Sequence, residues 1–338
     1  MPCYHPLFAY SPINDALTDK QRLVFLGYDS SAAAAARDKG FDVYSLPCGK
    51  CIGCRLDYSR EWANRCMLEL KYHDSAYFVT LTYNDAHIPR TTYLDSNGQE
   101  HSAFTLCKRD FQLFMKRLRK AFPSDKIRFY AAGEYGDKSH RPHYHAILFG
   151  LHLHDLKPFG KNFRGEQYFT SQSLLDVWSV QETLFDGSSV RVPIGNVSVG
   201  AVSWDSCSYV ARYVVKKAKD EANGFYDTFN LVKPFCLMSR RPGIGRQFLD
   251  DNPDVLKQPF IVLSTEKKGL KMPVPDYFLR VSKLTNPDLY DKISLQRKYY
   301  GSRASLLRNS MSSLSEEQRL EISERSHESR TKSLERSL

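Results

Sequence analysis

The sequence predicts an α+β fold: a central, largely antiparallel sheet with flanking helices, a Cys-rich amino-terminal segment and a helical or disordered carboxy-terminal tail. Three observations predict it. Short β-branched and aromatic runs alternate with helical periodicity in the order strand, helix, strand, strand, helix, strand, helix. The second and third strands are joined by a connection too short for a crossover helix, so they return antiparallel. The chain has 338 residues, 42% of them hydrophobic, enough to bury a core.

The elements follow in order. Residues 1–47 read as irregular, with an alanine run from Ala32 to Ala36, and Cys48-Gly-Lys-Cys51-Ile-Gly-Cys54 comes next. Residues 55–73 read as a helix, because Tyr58, Trp62, Cys66 and Leu70 recur at helical spacing. Tyr77-Phe-Val-Thr-Leu-Thr-Tyr83 is β-branched and aromatic, a strand. Residues 84–107 contain Ser96-Asn97-Gly98, the turn of an inserted hairpin. Residues 108–122 form an amphipathic helix with Phe111, Phe114, Met115, Leu118 and Phe122 on one stripe and Lys116, Arg117, Arg119 and Lys120 elsewhere. Ile127 to Ala132 is a second strand running into Gly133-Glu134-Tyr135-Gly136, and His143 to Phe149 a third, closed by Gly150. A helix near Ser171 to Val180, a strand from Asn196 to Val202 and a helix from Ser206 to Lys219 complete the pattern. Structure weakens beyond Arg240-Arg-Pro-Gly-Ile-Gly245. The residues from 301 are rich in Ser, Arg and Glu, a composition that suits a solvated helix or a disordered tail. The boundaries are therefore an amino-terminal arm (1–54), a main domain (55–250), an extension (251–300) and a polar tail (301–338).

Lys and Arg number 48 against 38 Asp and Glu, a net charge of +10, which fits a polyanionic partner such as nucleic acid. With 20 Tyr and 20 Phe, aromatic faces among basic residues suit stacking on unpaired bases, although most such rings fill cores. No apolar run approaches the ~20 residues of a membrane span, and the start lacks the regions of a signal peptide. The expectation is a protein of the cytoplasm without a membrane partner, whose eight Cys are thiols or metal ligands.

Three segments carry chemistry. His143 and His145 are two apart on a strand, so both imidazoles face one side and are placed to share a metal ion. His152 and His154 repeat the spacing but follow Gly150 in a loop. Glu134, at the end of the preceding strand, comes back beside the histidines; two imidazoles and a carboxylate leave positions open on Mg²⁺ or Mn²⁺, of which Mn²⁺ accepts imidazole more readily. Tyr209 and Tyr213 are one helical turn apart, with Lys216 and Lys217 a turn further. An ordinary amphipathic helix would also show this pattern. A Tyr hydroxyl, with a free pKa near ~10, is a weak nucleophile unless a cation favours the phenolate.

Phe78-Val-Thr-Leu-Thr82, Arg141-Pro-His-Tyr-His145 and Tyr209-Val-Ala-Arg-Tyr213-Val-Val-Lys216 resemble the three ordered motifs of the His-hydrophobe-His endonuclease superfamily. The Tyr-x-x-x-Tyr spacing resembles its two-tyrosine branch. The layout over roughly 45–250, with an early Cys cluster, is similar to the replication initiators of gokushovirus-type microviruses. The resemblance implies a rolling-circle initiator. Such a protein nicks single-stranded or replicative-form DNA at the phage origin through a 5′-phosphotyrosine and leaves a 3′-hydroxyl for host DNA polymerase. It then religates the displaced strand into a circle, within the bacterial host's cytoplasm. It implies metal ligation by His143, His145 and Glu134, alternating nucleophiles Tyr209 and Tyr213, and help from Lys216 or Lys217. The chain carries Arg212 where the pattern often has Lys, which shifts that help toward Lys216. With no G-x-x-x-x-G-K-[ST] motif, unwinding falls to a host helicase.

Cys48, Cys51 and Cys54 offer three thiolates, and tetrahedral Zn²⁺ needs four ligands. Cys3 is the first candidate for the fourth, with His5 and Cys66 behind it; free thiols and an iron–sulfur cluster are the alternatives. Two other whole-protein readings stand beside the nicking enzyme. One is a non-enzymatic, zinc-containing nucleic-acid-binding protein; the other is a metal-dependent hydrolase in which the tyrosines are structural.

Overall fold

A computed structural model describes residues 3–12, 23–136, 139–161, 165–211, 224–264 and 269–335. The chain forms two units, one of residues 1–58 with 291–338, the other of residues 59–290.

The first unit opens with β1 (Leu7–Ser11), β2 (Val24–Gly27), α1 (Ser30–Asp38) and β3 (Asp42–Leu46), where the sequence pattern suggests irregular chain. The strands make a three-stranded antiparallel sheet in the order β2-β1-β3. The alanine run is α1, capped by the Asp29 carboxylate, which accepts from the Ala32 amide at 2.9 Å. The strands escape detection because their faces are only partly covered: Val24 and Phe25 are exposed, and Ala9 is the buried residue of β1. α2 (Ile52–Leu70) then begins, and through Tyr58 it belongs to this unit.

The second unit is built on a seven-stranded sheet. Its strands come from β4 (Ala76–Thr82), β7 (Arg128–Tyr135), β8 (Pro142–Phe149), β9 (Leu156–Lys161), β10 (Gln167–Ser171), β13 (Val197–Ala201) and β14 (Phe235–Met238). Between them lie the hairpin β5 (Arg90–Leu94) and β6 (Glu100–Phe104), which turns at Ser96-Asn97-Gly98, then α3 (Lys108–Ala121), α4 (Gln172–Val177) and the hairpin β11 (Ser179–Thr183) and β12 (Ser189–Pro193). The order is β14-β7-β8-β4-β13-β10-β9 and every pairing is antiparallel. The three strands expected to lie together are neighbours at its centre.

Alternation along the strands builds two cores. On one face Val79, Leu81, Ala131, Tyr144, Ala146 and Leu148 pack against Phe111, Phe114, Met115 and Leu118 of α3 and against Leu174 and Trp178. The predicted stripe of α3 is thus its buried face, and Lys116, Arg119 and Lys120 are exposed. On the other face Phe78, Tyr130, Ala132, Ile147 and Phe149 pack under Trp62, Ala63 and Cys66 of α2 and under Cys207, Val210 and Ala211 of α5, a helix over 204–211. The rest of the predicted 206–219 helix lies outside the described residues.

Beyond this come α6 (Phe225–Thr228), α7 (Arg246–Asp251), the hairpin β15 (Phe260–Ser264) and β16 (Gly269–Pro273), and α8 (Asp276–Thr285). α9 (Pro287–Ser310) and α10 (Glu316–Glu335) follow, so the polar tail is helical. The 251–300 stretch is more ordered than its sequence pattern suggests. Its hairpin buries alternate residues, Ile261, Leu263 and Met272, over too short a span to register as periodic. Among the described residues, no helix is long and apolar enough to cross a membrane.

Candidate metal centre and tyrosine

β7 and β8 place the acidic and imidazole side chains together through register. Glu134 pairs directly with His143, and Ala132 with His145. On the other side of β8, Thr82 pairs with His143 and Thr80 with His145. Side chains two apart share a face, so Glu134, His143, His145 and Thr80 converge on the face covered by α2 and α5.

The geometry is tight. Glu134 Oε1 lies 2.5 Å from His143 Nε2 and 3.1 Å from His145 Nε2. The two rings are perpendicular, with centroids 4.9 Å apart. The far nitrogen of each ring is held. His143 Nδ1 donates to the Arg141 carbonyl at 3.1 Å, and His145 Nδ1 lies 2.9 Å from the Thr80 hydroxyl. With the protons on Nδ1, the Nε2 lone pairs point at one another and at the carboxylate. Glu134 is buried, and its Oε2 has no hydrogen-bond partner among the described residues. Glu134 Oε1 thus faces both Nε2 atoms, and an Nε2 that carries no proton is free to bind a cation there. The ligand atoms of Glu134, His143 and His145 all lie within 4.8 Å of one another, so the donor set fits a divalent ion with open coordination positions.

Tyr209, half-buried on α5, stands beside this group. Its ring meets that of His145 edge-on at 5.3 Å and that of Phe78 at 6.1 Å, while Phe78 stacks on His145 at 5.5 Å. α5 is fastened to α2 by the Ser59 hydroxyl donating to the Ser208 carbonyl at 3.1 Å and the Trp204 indole N–H donating to Asn64 Oδ1 at 3.2 Å. Cys66 and Cys207 meet in the same interface, where burial, and then their mutual hydrogen bond, push the Cys66 thiol well up. Tyr213, Lys216 and Lys217 lie outside the described residues. By contrast Tyr83 and Tyr144 are buried on the opposite face, where Tyr83 donates to Asp110 at 2.7 Å and burial raises both phenols far above their ordinary range.

Thr80 is the residue that pattern reading misses. It stands within Phe78-Val-Thr-Leu-Thr82, and its signal is a polar side chain between two apolar, inward-facing neighbours, Val79 and Leu81. The second histidine pair does something else: His152 bridges Asp125 at 3.0 Å and Asp74 at 3.1 Å, bonds that raise its pKa, and His154 is exposed.

In the first unit, Cys3, Cys48, Cys51 and Cys54 bring their sulfurs within 4.8 Å of one another. Of the other candidates for that cluster, His5 instead faces Glu324 at 2.8 Å, and Cys66 is enclosed in the second unit's core, where its neighbours are apolar.

The chain is 32% identical over 290 residues to the replication-associated protein ORF2 of Spiroplasma virus 4, covering 83% of this chain and 80% of that protein. This chain belongs to the microvirus replication-initiator family. It is also 30% identical over 269 residues to the replication-associated protein VP4 of Bdellovibrio phage phiMH2K, covering 75% and 74% of the two chains. A shorter match, 30% over 181 residues, is to the replication-associated protein ORF4 of Chlamydia phage 1, covering 52% of this chain and 39% of that one. The family of replication-associated proteins ORF2/G2P matches residues 76–218, which for this initiator runs from β4 past α5 and includes the Glu134, His143, His145 and Tyr209 cluster. No solved structure matches the chain significantly.

Proposed function

We propose that this initiator is a site-specific, single-stranded DNA endonuclease and joining enzyme that works through a covalent 5′-phosphotyrosine. The observation that carries the reading is the cluster of Glu134, His143 and His145, whose ligand atoms lie within 4.8 Å of one another, with the Tyr209 ring against His145. Mg²⁺ or Mn²⁺ held by these three residues would supply Lewis-acid polarisation of the scissile phosphate.

This chain's own groups do the rest. Thr80 and the Arg141 carbonyl orient the imidazoles, and Phe78 fixes the His145 plane by stacking. The Tyr209 oxygen attacks phosphorus in line; the new Tyr–O–P bond forms as the P–O3′ bond breaks. The phenolic proton is lost to solvent, and the departing 3′ oxygen takes one up, leaving a 3′-hydroxyl that primes host polymerase after host helicase opens the duplex. The ester conserves the bond energy, so a second 3′-hydroxyl displaces the tyrosine and closes a circle. Tyr213 serves as the second nucleophile, and Lys216, with Lys217, steadies the phenolate and the pentavalent phosphorus. The setting for these steps is the bacterial cytoplasm.

The test is incubation of the full chain with a single-stranded origin oligonucleotide and Mg²⁺ or Mn²⁺. A denaturation-resistant protein–DNA band whose peptide maps to Tyr209 or Tyr213 is the expected result. Binding without any adduct from the unaltered chain overturns it in favour of a non-enzymatic binder. Cleavage that persists when both tyrosines are Phe overturns it in favour of a metal-dependent hydrolase.

A further inference from the structure

The metal centre of the second unit leaves the cysteine cluster of the first unexplained. We infer that Cys3, Cys48, Cys51 and Cys54 hold a structural Zn²⁺ as four thiolates, which staples the amino-terminal sheet. This rests on no part of the nicking reading.

Sulfur spacing decides among the options open to four clustered cysteines. A tetrahedron with Zn–S bonds of ~2.3 Å has S···S edges of ~3.8 Å. The Cys51–Cys3 sulfurs are 3.9 Å apart and the Cys48–Cys54 sulfurs 4.0 Å. A disulfide requires ~2.05 Å. An iron–sulfur cluster holds its cysteines around a core of iron and sulfide, which spreads the thiolates wider than the 4.8 Å within which these four lie.

The backbone around the sulfurs is arranged for thiolates. The amide of Tyr4 donates to Cys51 Sγ at 3.3 Å, that of Cys48 to Cys3 Sγ at 3.2 Å and that of Cys51 to Cys48 Sγ at 3.3 Å. Lys50 and Cys54 add amides at 3.4 Å to Cys48 Sγ and 3.5 Å to Cys51 Sγ. Neutral thiols are weak acceptors; charged sulfurs turn such contacts into charge-assisted bonds. Gly49 makes the turn possible, since its φ of 73° is a left-handed conformation that side chains resist.

The surrounding fold gives a reason for a staple. Among the described residues up to position 51, the buried apolar ones are Tyr4, Ala9, Ala33, Ala36 and Cys51. Three alanines bury little area, and small units with thin cores rely on metals or disulfides. The cluster sits where it closes the sheet: Leu7 pairs with Leu46, Cys3 lies just before the one and Cys48 just after the other. Tyr4 and His5, next to ligand Cys3, carry the contacts to α10. The Tyr4 hydroxyl bonds His327, and His5 pairs with Glu324. Each thiol entering the site loses its proton to solvent, so holding zinc is linked to pH and to folding of this unit.

The test uses the full chain, purified without chelator. Elemental analysis is expected to give about one zinc per chain. Cobalt substitution should produce the intense visible bands and sulfur-to-metal charge transfer of a tetrahedral all-thiolate site. Cys48→Ser should lose that zinc and the charge transfer, whereas Cys236→Ser and the double change His143→Ala, His145→Ala should keep both. Should Cys48→Ser fail to fold, a mercurial titration of the unaltered chain still reads the site: released zinc must track thiols blocked. Zinc-free protein, an octahedral cobalt spectrum without sulfur charge transfer, or zinc retained by Cys48→Ser when His143→Ala and His145→Ala are also present overturns the assignment.

Discussion

Glu134 and His143 face one another across adjacent antiparallel strands, and the carboxylate oxygen that meets His143 Nε2 also meets His145 Nε2, while its twin oxygen is buried and unpartnered among the described residues. Replacing the carboxylate by an amide keeps the shape and removes the charge. Glu134→Gln is therefore expected to weaken Mn²⁺ binding by about 100-fold while leaving the fold intact. Titration followed by electron paramagnetic resonance, alongside thermal unfolding, reads both; unchanged Mn²⁺ affinity contradicts the assignment of this group as a ligand.

Under the proposed function, Thr80 would act on a bound ion through His145. Thr80→Val deletes the hydroxyl at 2.9 Å from Nδ1 and keeps the β-branched shape of a central strand. The expected cost is about 1 kcal/mol of stability and about tenfold in metal affinity, with Thr80→Ser restoring the affinity. If Ser fails to restore what Val removes, the hydroxyl is not the operative group.

Tyr209→Phe removes only an oxygen, since the ring packs edge-on against His145 and Phe78. Unfolding should shift by no more than about 1.5 kcal/mol, the scale of one hydrogen bond. Adduct formation at Tyr209 should vanish and, in the pair with Tyr213→Phe, disappear altogether. Oligonucleotide binding should survive and weaken steeply as salt rises. A gel of boiled reactions and a salt series of binding isotherms separate these outcomes.

Glu69 ties α2 to the sheet and to the turn before α7. It pairs with Arg128 and accepts from the Gly245 amide at 2.6 Å, and His73 lies 3.2 Å away. Burial works to raise its pKa, but the bonds from His73, Gly245 and Arg128 outweigh it and hold the carboxyl below its ordinary range. A depressed folded-state pKa contributes stability above the unfolded value, and that contribution is lost as pH falls through the folded one. Glu69→Gln should cost about 3 kcal/mol at neutral pH and flatten the acid limb of the stability curve. Urea midpoints measured between neutral and acid pH test the sign.

Gly195 runs against the end of β4: a Cβ built there would lie 1.7 Å from the Thr82 carbonyl oxygen. Backbone cannot yield as a flexible side chain does. Gly195→Ala should destabilise the second unit by more than about 3 kcal/mol. Circular dichroism melts measure it, and a near-normal melt would mean that this approach is looser than described.

Periodicity made the centre of the molecule legible. β4, β7, β8 and α3 each carry a run long enough to declare its period, and the short link after Glu134 dictates which neighbours pair. The His pair and Glu134 could be placed before any fold was seen because strand alternation alone sets their side. The amino-terminal sheet was hidden because α1 has no apolar side chain larger than alanine and β2 exposes Val24 and Phe25, leaving no apolar stripe to detect. β14 was hidden for another reason: its pairing with β7 joins residues far apart in the chain, a choice made by packing rather than by local sequence. Thr80 escaped because a threonine in a strand is commonplace until its partner across the ladder is known.

Along β8, odd-numbered His143 and His145 stand with Glu134 on the face under α2 and α5 while even-numbered Tyr144 and Ala146 fill the core under α3. One strand thus carries two incompatible obligations on alternate residues. A one-residue slip of β8 against its neighbours would drive the imidazoles into the core under α3 and turn Tyr144 onto the face under α2 and α5. This stretch should therefore tolerate exchanges of residue far better than any change in its length. A deletion scan ought to find it among the least forgiving parts of the gene.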